Sequence, residues 1–142
     1  MTGSDRGSGS DSNVFLTLMG ANGISSEEVG LERSQNTNKF ESGATDNFDL
    51  NFKTHIEDVV AIKLRSDDSG MGSDWQLNSV TIFDTHHDTE YFFNCKNSWF
   101  KKDSKQQEFR SATKTKLHTY KICVSTSSSV NSGTDSNISI TI

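Results

Sequence analysis

The sequence predicts an all-β fold, an antiparallel β-sandwich of about eight strands, and three observations carry that expectation. Apolar residues recur at every second position in several short runs, the period of a strand with one buried face. Clusters of Ser, Asn, Asp and Gly separate those runs and Pro is absent, so the connections read as polar turns. The 142 residues suit one domain, because two halves would each bury too little surface to hold together without disulfides or metal.

The first run covers residues 13–19, with Val14, Leu16 and Leu18 on one face and Phe15 and Thr17 on the other. Residues 46–52 repeat the pattern through Phe48, Leu50 and Phe52, and Val60, Ile62 and Leu64 make a third strand. Leu77, Val80 and Ile82 follow with one odd step, which predicts a β-bulge that keeps all three on one face. Further strands are expected over 90–95 and 120–124, and Trp99 is expected in the core. Turns fall at Gly20-Ala21-Asn22-Gly23, at Ser42-Gly43 and over 66–72. Only over 27–34 does a helix compete.

Composition narrows the function. A net charge of −5 and no long Lys/Arg block disfavour nucleic acid as a partner; the densest basic stretch, Lys101, Lys102 and Lys105, is interrupted by acid. Two cysteines, Cys95 and Cys123, exclude a disulfide scaffold; spacing does not decide whether one bridge joins them, and two buried thiols are the expected state. No apolar run approaches a membrane span, and the first residues lack the apolar core of a signal peptide. Compartment is therefore open, with peripheral membrane association compatible. There is no Gly-x-Ser-x-Gly elbow, phosphate loop or zinc-binding helix motif, so no catalytic residue is assigned. His86-His87-Asp88 with Glu90 has metal-binding residue types, but its place between two strands reads as a hairpin turn.

An internal repeat is the most informative pattern. Gly9-Ser10-Asp11-Ser12-Asn13, followed by Val-Phe-Leu-Thr-Leu, recurs from Gly133 as Gly-Thr-Asp-Ser-Asn followed by Ile-Ser-Ile-Thr-Ile, an offset of 124 residues. That period is a whole domain rather than a solenoid unit. Residues 1–116 then form a sandwich lacking its first strand, and 117–142 open a second copy. Tyr120, Ile122 and Val124 are expected to fill the gap, within the chain or as a domain-swapped dimer.

Four segments in order resemble the PLAT (lipoxygenase-homology) family, found in lipoxygenases, polycystins, the membrane-binding part of clostridial alpha-toxin and tandem arrays. They are the run from Gly9 to Gly20, Asn38-Lys-Phe-Glu-Ser-Gly-Ala-Thr-Asp-Asn-Phe48, the run from Asp67 through Trp75 to Val80, and Phe93-Asn-Cys-Lys-Asn-Ser-Trp-Phe100. Two departures stand out: Asn94 replaces the family's Pro before Cys95, and Gln76 replaces the aromatic after Trp75.

The resemblance implies a PLAT/C2-like sandwich in which three loops converge, with Asp11, Asn38, Asp67, Asp68 and Asp74 as candidate calcium ligands. Calcium takes six to eight oxygens, which such loops supply, although Lys39 would set an ammonium beside the site. The same acids and amides also suit plain turn formation. Membrane contact would fall to apolar loop residues, Met71 between Gly70 and Gly72 first, then Trp75 and Phe40, although these two adjoin strands and burial in the core is the stronger reading for them. The implied function is a non-catalytic module that binds membrane lipid headgroups or a protein partner, modulated by calcium. Alternatives are a structural repeat contacting neighbouring PLAT copies and an accessory domain of a lipid-metabolising enzyme.

Overall fold

A computed structural model describes residues 1–70, 72–110, 113–118, 122–123 and 125. Seven strands form among them, in two antiparallel sheets: β1 (Val14–Gly20), β2 (Val29–Gly30), β3 (Val59–Ser66), β4 (Trp75–Asp84), β5 (Thr89–Phe100), β6 (Gln106–Arg110) and β7 (Thr113–Lys116). One sheet runs β2-β1-β3-β6 and the other β4-β5-β7. Val14, Leu16, Ile62 and Leu64 from the first meet Leu77, Tyr91 and Phe93 from the second in a single core. This confirms the all-β sandwich and the alternation of β1. In β3, Ile62 and Leu64 face the core as expected, but Val59 is buried in place of Val60, which the register skips.

An irregularity stands where the odd step predicts one, but the extra residues are on the partner strand. Between the pairs Leu77–Ser98 and Ser79–Asn94, β5 carries Cys95, Lys96 and Asn97 against the single residue Asn78 of β4. Opposite it, Lys96 and Asn97 take positive φ values of 52° and 55°. That irregularity turns β5 over: Tyr91, Phe93 and Cys95 face inward, and beyond the kink Phe100 is buried instead of Trp99. Trp99 is half-buried outside, beneath the Lys101 ammonium. Placing it in the core carried a strict two-residue period through a bulge.

Other departures have equally local causes. No strand forms over 46–52, although Phe48, Leu50 and Phe52 pack against the core as their spacing requires. The segment buries alternate side chains without ladder bonds; Asp46 spends its carboxylate on Ser34, Asn36 and the Phe40 N–H. No helix forms over 27–34, where Val29 and Gly30 pair with β1. β6 and β7 went unanticipated because both are edge strands: β7 is fully exposed and β6 contributes only Phe109 to the core.

The outer edge of β4 is met by the N-terminal residues: Thr2 bridges Leu77, and the Gly3 N–H donates to the Gln76 carbonyl at 2.7 Å. Gln76 is itself buried, with Nε2 donating to Asp5, while its Oε1 has no partner. The proposed completing strand, residues 120–124, includes Tyr120 and Val124, which lie outside the described residues, as does the repeat segment 133–142.

Cys95 and Cys123 are both free thiols; Cys95 is buried and Cys123 exposed, which corrects the reading of two buried thiols. Burial pushes the Cys95 thiol up to about 12. In the native protein at pH 8, iodoacetamide should therefore label Cys123 and spare Cys95, as read by mass spectrometry; equal labelling would contradict this core. Phe93→Ala should lower unfolding stability by about 3–5 kcal/mol in chemical denaturation, since the ring is fully enclosed.

Candidate functional site

β1 and β4 begin, and β3 and β5 finish, at one end of the sandwich, so the loops at that end meet by register. The loop before β1 is pressed between two others. A Cβ on Gly9 would come within 3.1 Å of the Phe40 carbonyl, and one on Gly70 within 2.7 Å of Asp11 Cβ. The Ser10 N–H donates to the Phe40 carbonyl at 3.1 Å, while the Ser10 hydroxyl donates to the Ser73 carbonyl and that of Ser12 to the Ser69 carbonyl. Buried hydroxyls thus satisfy loop carbonyls that no ladder serves.

The candidate ligands divide by what they already hold. Asp67 Oδ1 accepts the Asn13 N–H, the Ser69 N–H and the Ser69 hydroxyl, and Oδ2 accepts the Asn13 amide at 2.8 Å. Those bonds, Ser69 foremost, outweigh burial and hold its carboxyl well below the ordinary range. Asp68, at φ 60°, pairs with Lys105 at 3.0 Å; the Ser73 and Lys105 contacts hold its carboxyl low as well. Asp11 and Asp74 are exposed and make no hydrogen bond or ion pair with the described residues.

Asn38 donates its amide to Glu41, and the Lys39 ammonium donates to the Glu32 carbonyl at 3.1 Å while lying over the Phe40 ring. Asp11, Asn38 and Lys39 share the wall of a polar cleft of about 230 Å³ between residues 10–12 and 37–40. Asp11 and Asn38 bring to the cleft oxygen donors of the kind calcium takes, beside Lys39, and Asp74 stands on the adjoining loop that leads into β4. Among the described residues no three carboxylates gather there. Among the described residues, the one set of three His, Cys, Asp or Glu side chains with ligand atoms within 4.8 Å is His55, Asp84 and His87, at the opposite end.

Two of the expected membrane contacts are corrected. Phe40 and Trp75 are each 3% exposed and pack against one another at a tilt, ring centroids 5.1 Å apart, because Phe40 folds inward at φ 59° with its N–H held by Asp46. Met71 lies outside the described residues. Sequence reasoning missed Asp46, the carboxylate that shapes the second loop; its place in the family pattern after Phe40 was the signal. It also missed that Lys101, Lys102 and Lys105 stand beside the acidic loops: Lys105 binds Asp68, and its carbonyl accepts the Ser66 N–H at 2.8 Å.

Two layers with converging end loops define a C2-like β-sandwich. Residues 1–113 match the PLAT/LH2 domain, and the chain belongs to that family. It is 29% identical to human lipoxygenase homology domain-containing protein 1 over 99% of its length, spanning 7% of that protein. It is similar in structure to coral 8R-lipoxygenase, described as calcium-activated through a C2-like domain (TM-score 0.66, 26% identity, 77% of this chain and 15% of that one). A calcium-dependent 11R-lipoxygenase matches over 77% of this chain and 16% of its own, with TM-score 0.61 and 30% identity.

Asp67→Ala should loosen the loop end, and the loss should depend on pH. A carboxyl depressed on folding adds stability above its unfolded pKa, about 3.9, and that contribution disappears as pH falls through the folded value. The difference in melting temperature between wild type and Asp67→Ala should thus be full at pH 6 and shrink below about pH 4. A difference that stays constant to the lowest pH would contradict the clamp.

Proposed function

We propose that the chain is a non-catalytic docking module that brings its parent protein to an anionic membrane surface, with calcium joining the loop end to lipid headgroups. The observation that carries this reading is the division of labour among the acids. Asp67 and Asp68 build the frame, while Asp11 and Asp74 keep carboxylates that the described residues do not use. Lys101, Lys102 and Lys105 beside them favour anionic headgroups once calcium has neutralised the acids. Asp11, Asn38 and Asp74 are the proposed ligands, and the calcium dependence attributed to the C2-like domain of the coral enzyme supports the choice.

With few full carboxylates and Lys39 in the cleft wall, affinity should lie between micromolar and millimolar. Isothermal titration should detect calcium binding, and Asp11→Ala should weaken it. Phosphatidylserine vesicles should co-sediment the chain with calcium and release it to chelator, and Met71→Asp should reduce binding with little change in melting temperature. No heat and no thermal shift at several millimolar calcium would sink the calcium site; vesicle binding indifferent to calcium would leave the basic loop as the contact.

A second reading has its own support: a structural repeat that contacts neighbouring PLAT copies or a protein ligand. The Gly9 motif recurring at Gly133 favours it, as does the small share of its long relative that the chain spans. Failure to bind vesicles under any calcium condition, together with self-association of a longer stretch of the parent protein, would select it.

A further inference from the structure

The opposite end of the sandwich gathers three of the chain's four histidines. His86 and His87 occupy the turn of the β4–β5 hairpin, and His55 lies in the loop before β3. The His55 and His87 rings are 5.0 Å apart, and His86 stacks on His87 at 4.6 Å. A nitrogen from each of His55 and His87 and an oxygen of Asp84 lie within 4.8 Å of one another. We propose that His55, Asp84 and His87 form a binding site for a borderline divalent transition metal of the Zn2+ type, distinct from the calcium loops.

Donor chemistry selects the class of ion. Two imidazoles and one carboxylate suit Zn2+ and its neighbours, whereas calcium and magnesium take oxygen ligands. The set is also close to ready. Asp84 Oδ1 accepts the backbone N–H groups of His86 and His87, which fixes the carboxylate, and Oδ2 lies 2.8 Å from His87 Nδ1. Burial pushes the Asp84 carboxyl up, yet the His87 side chain and the two N–H groups together outweigh it and hold it below its usual range.

Asp84 Oδ2 and His87 Nδ1 already face one another across a hydrogen bond, and an ion would take the place of its proton. Two donors at about 2 Å from a tetrahedral ion sit roughly 3.3 Å apart, so the pair has to open by only about half an ångström. His55 closes the third position from a different loop, and the exposed His86 ring or water takes the fourth. Because His55 leads into β3 of one sheet while Asp84 ends β4 of the other, the ion would clamp the two layers at this end. It would stabilise the fold by mass action.

Titrating Zn2+ alone into the full chain, purified without a histidine tag, should show one binding site and a raised melting temperature. His55→Ala and His87→Ala should each weaken binding roughly tenfold or more. His118→Ala and Cys123→Ser should leave it unchanged, since neither residue belongs to the cluster. Co2+ in place of Zn2+ should produce ligand-field bands with no thiolate charge-transfer band. The proposal is overturned if wild type binds no Zn2+, if His55→Ala and His87→Ala bind as tightly as wild type, or if His118→Ala or Cys123→Ser removes the site. The exposed position of His55 makes its variant the safe test should His87→Ala disturb the hairpin.

Discussion

Phe40 packs against Trp75 and Trp75 against Phe100 in tilted contacts, ring centroids 5.1 Å apart in each, with Phe48 and Phe109 extending the line at either side. The row runs from the 46–52 segment, through the loop end, to the edge strand of the other sheet, and each aromatic pair adds about 0.5–1.5 kcal/mol beyond the area it buries. What it fixes is position. Phe40 accepts a left-handed backbone to reach the row, Asp46 holds its N–H there, and its carbonyl then receives Ser10. A loop that would otherwise wander is thereby tied to the core within two residues of Asn38.

From that anchor the rest of the loop end is built with polar bonds. Hydroxyls of Ser10 and Ser12 cap carbonyls of residues 69 and 73, and Asp67 gathers Asn13 and Ser69. Short oxygen-bearing side chains suit this work because they reach a backbone group without needing apolar cover. The arrangement separates the acids that make loops from the acids left over, and only the second group is available to a cation. An acid-rich turn is thus mostly structure, with Asp11 and Asp74 as its unspent residue.

The two ends of the sandwich differ in chemistry as a result of the strand register. At one end oxygen ligands, basic side chains and serine hydroxyls meet; at the other, imidazoles gather beside a cleft of about 510 Å³ lined by Asp58, Lys114 and Lys116. The Lys114 ammonium reaches Asp58 at 2.8 Å there, joining β7 to the loop before β3. Hard and borderline cations would therefore choose opposite ends, for reasons set by donor type alone. Phe83 at 49% and Phe92 at 39% are exposed on β4 and β5, with Phe83 next to Asp84 at the histidine end.

The fold class was legible from alternation, polar turns and motif order, because burial of one sheet face writes a two-residue period directly into the chain. The irregularity after Leu77 was legible too, since the step from Leu77 to Val80 breaks a two-residue period, although the extra residues sit on β5. Trp99, the polar edge strands and the unpaired 46–52 segment were not, because a bulge, a solvated edge and a missing ladder leave no mark on the hydrophobic period. By itself the sequence determined that Val14, Leu16, Leu18, Ile62 and Leu64 face the core and which loops carry oxygen donors. Only the tertiary structure decided that Phe40 and Trp75 turn inward, that Asp67 is consumed by Asn13 and Ser69, and that His55 meets His87 across two layers. Those outcomes depend on contacts between residues far apart in the chain, where pairing is set by geometry and not by neighbouring sequence.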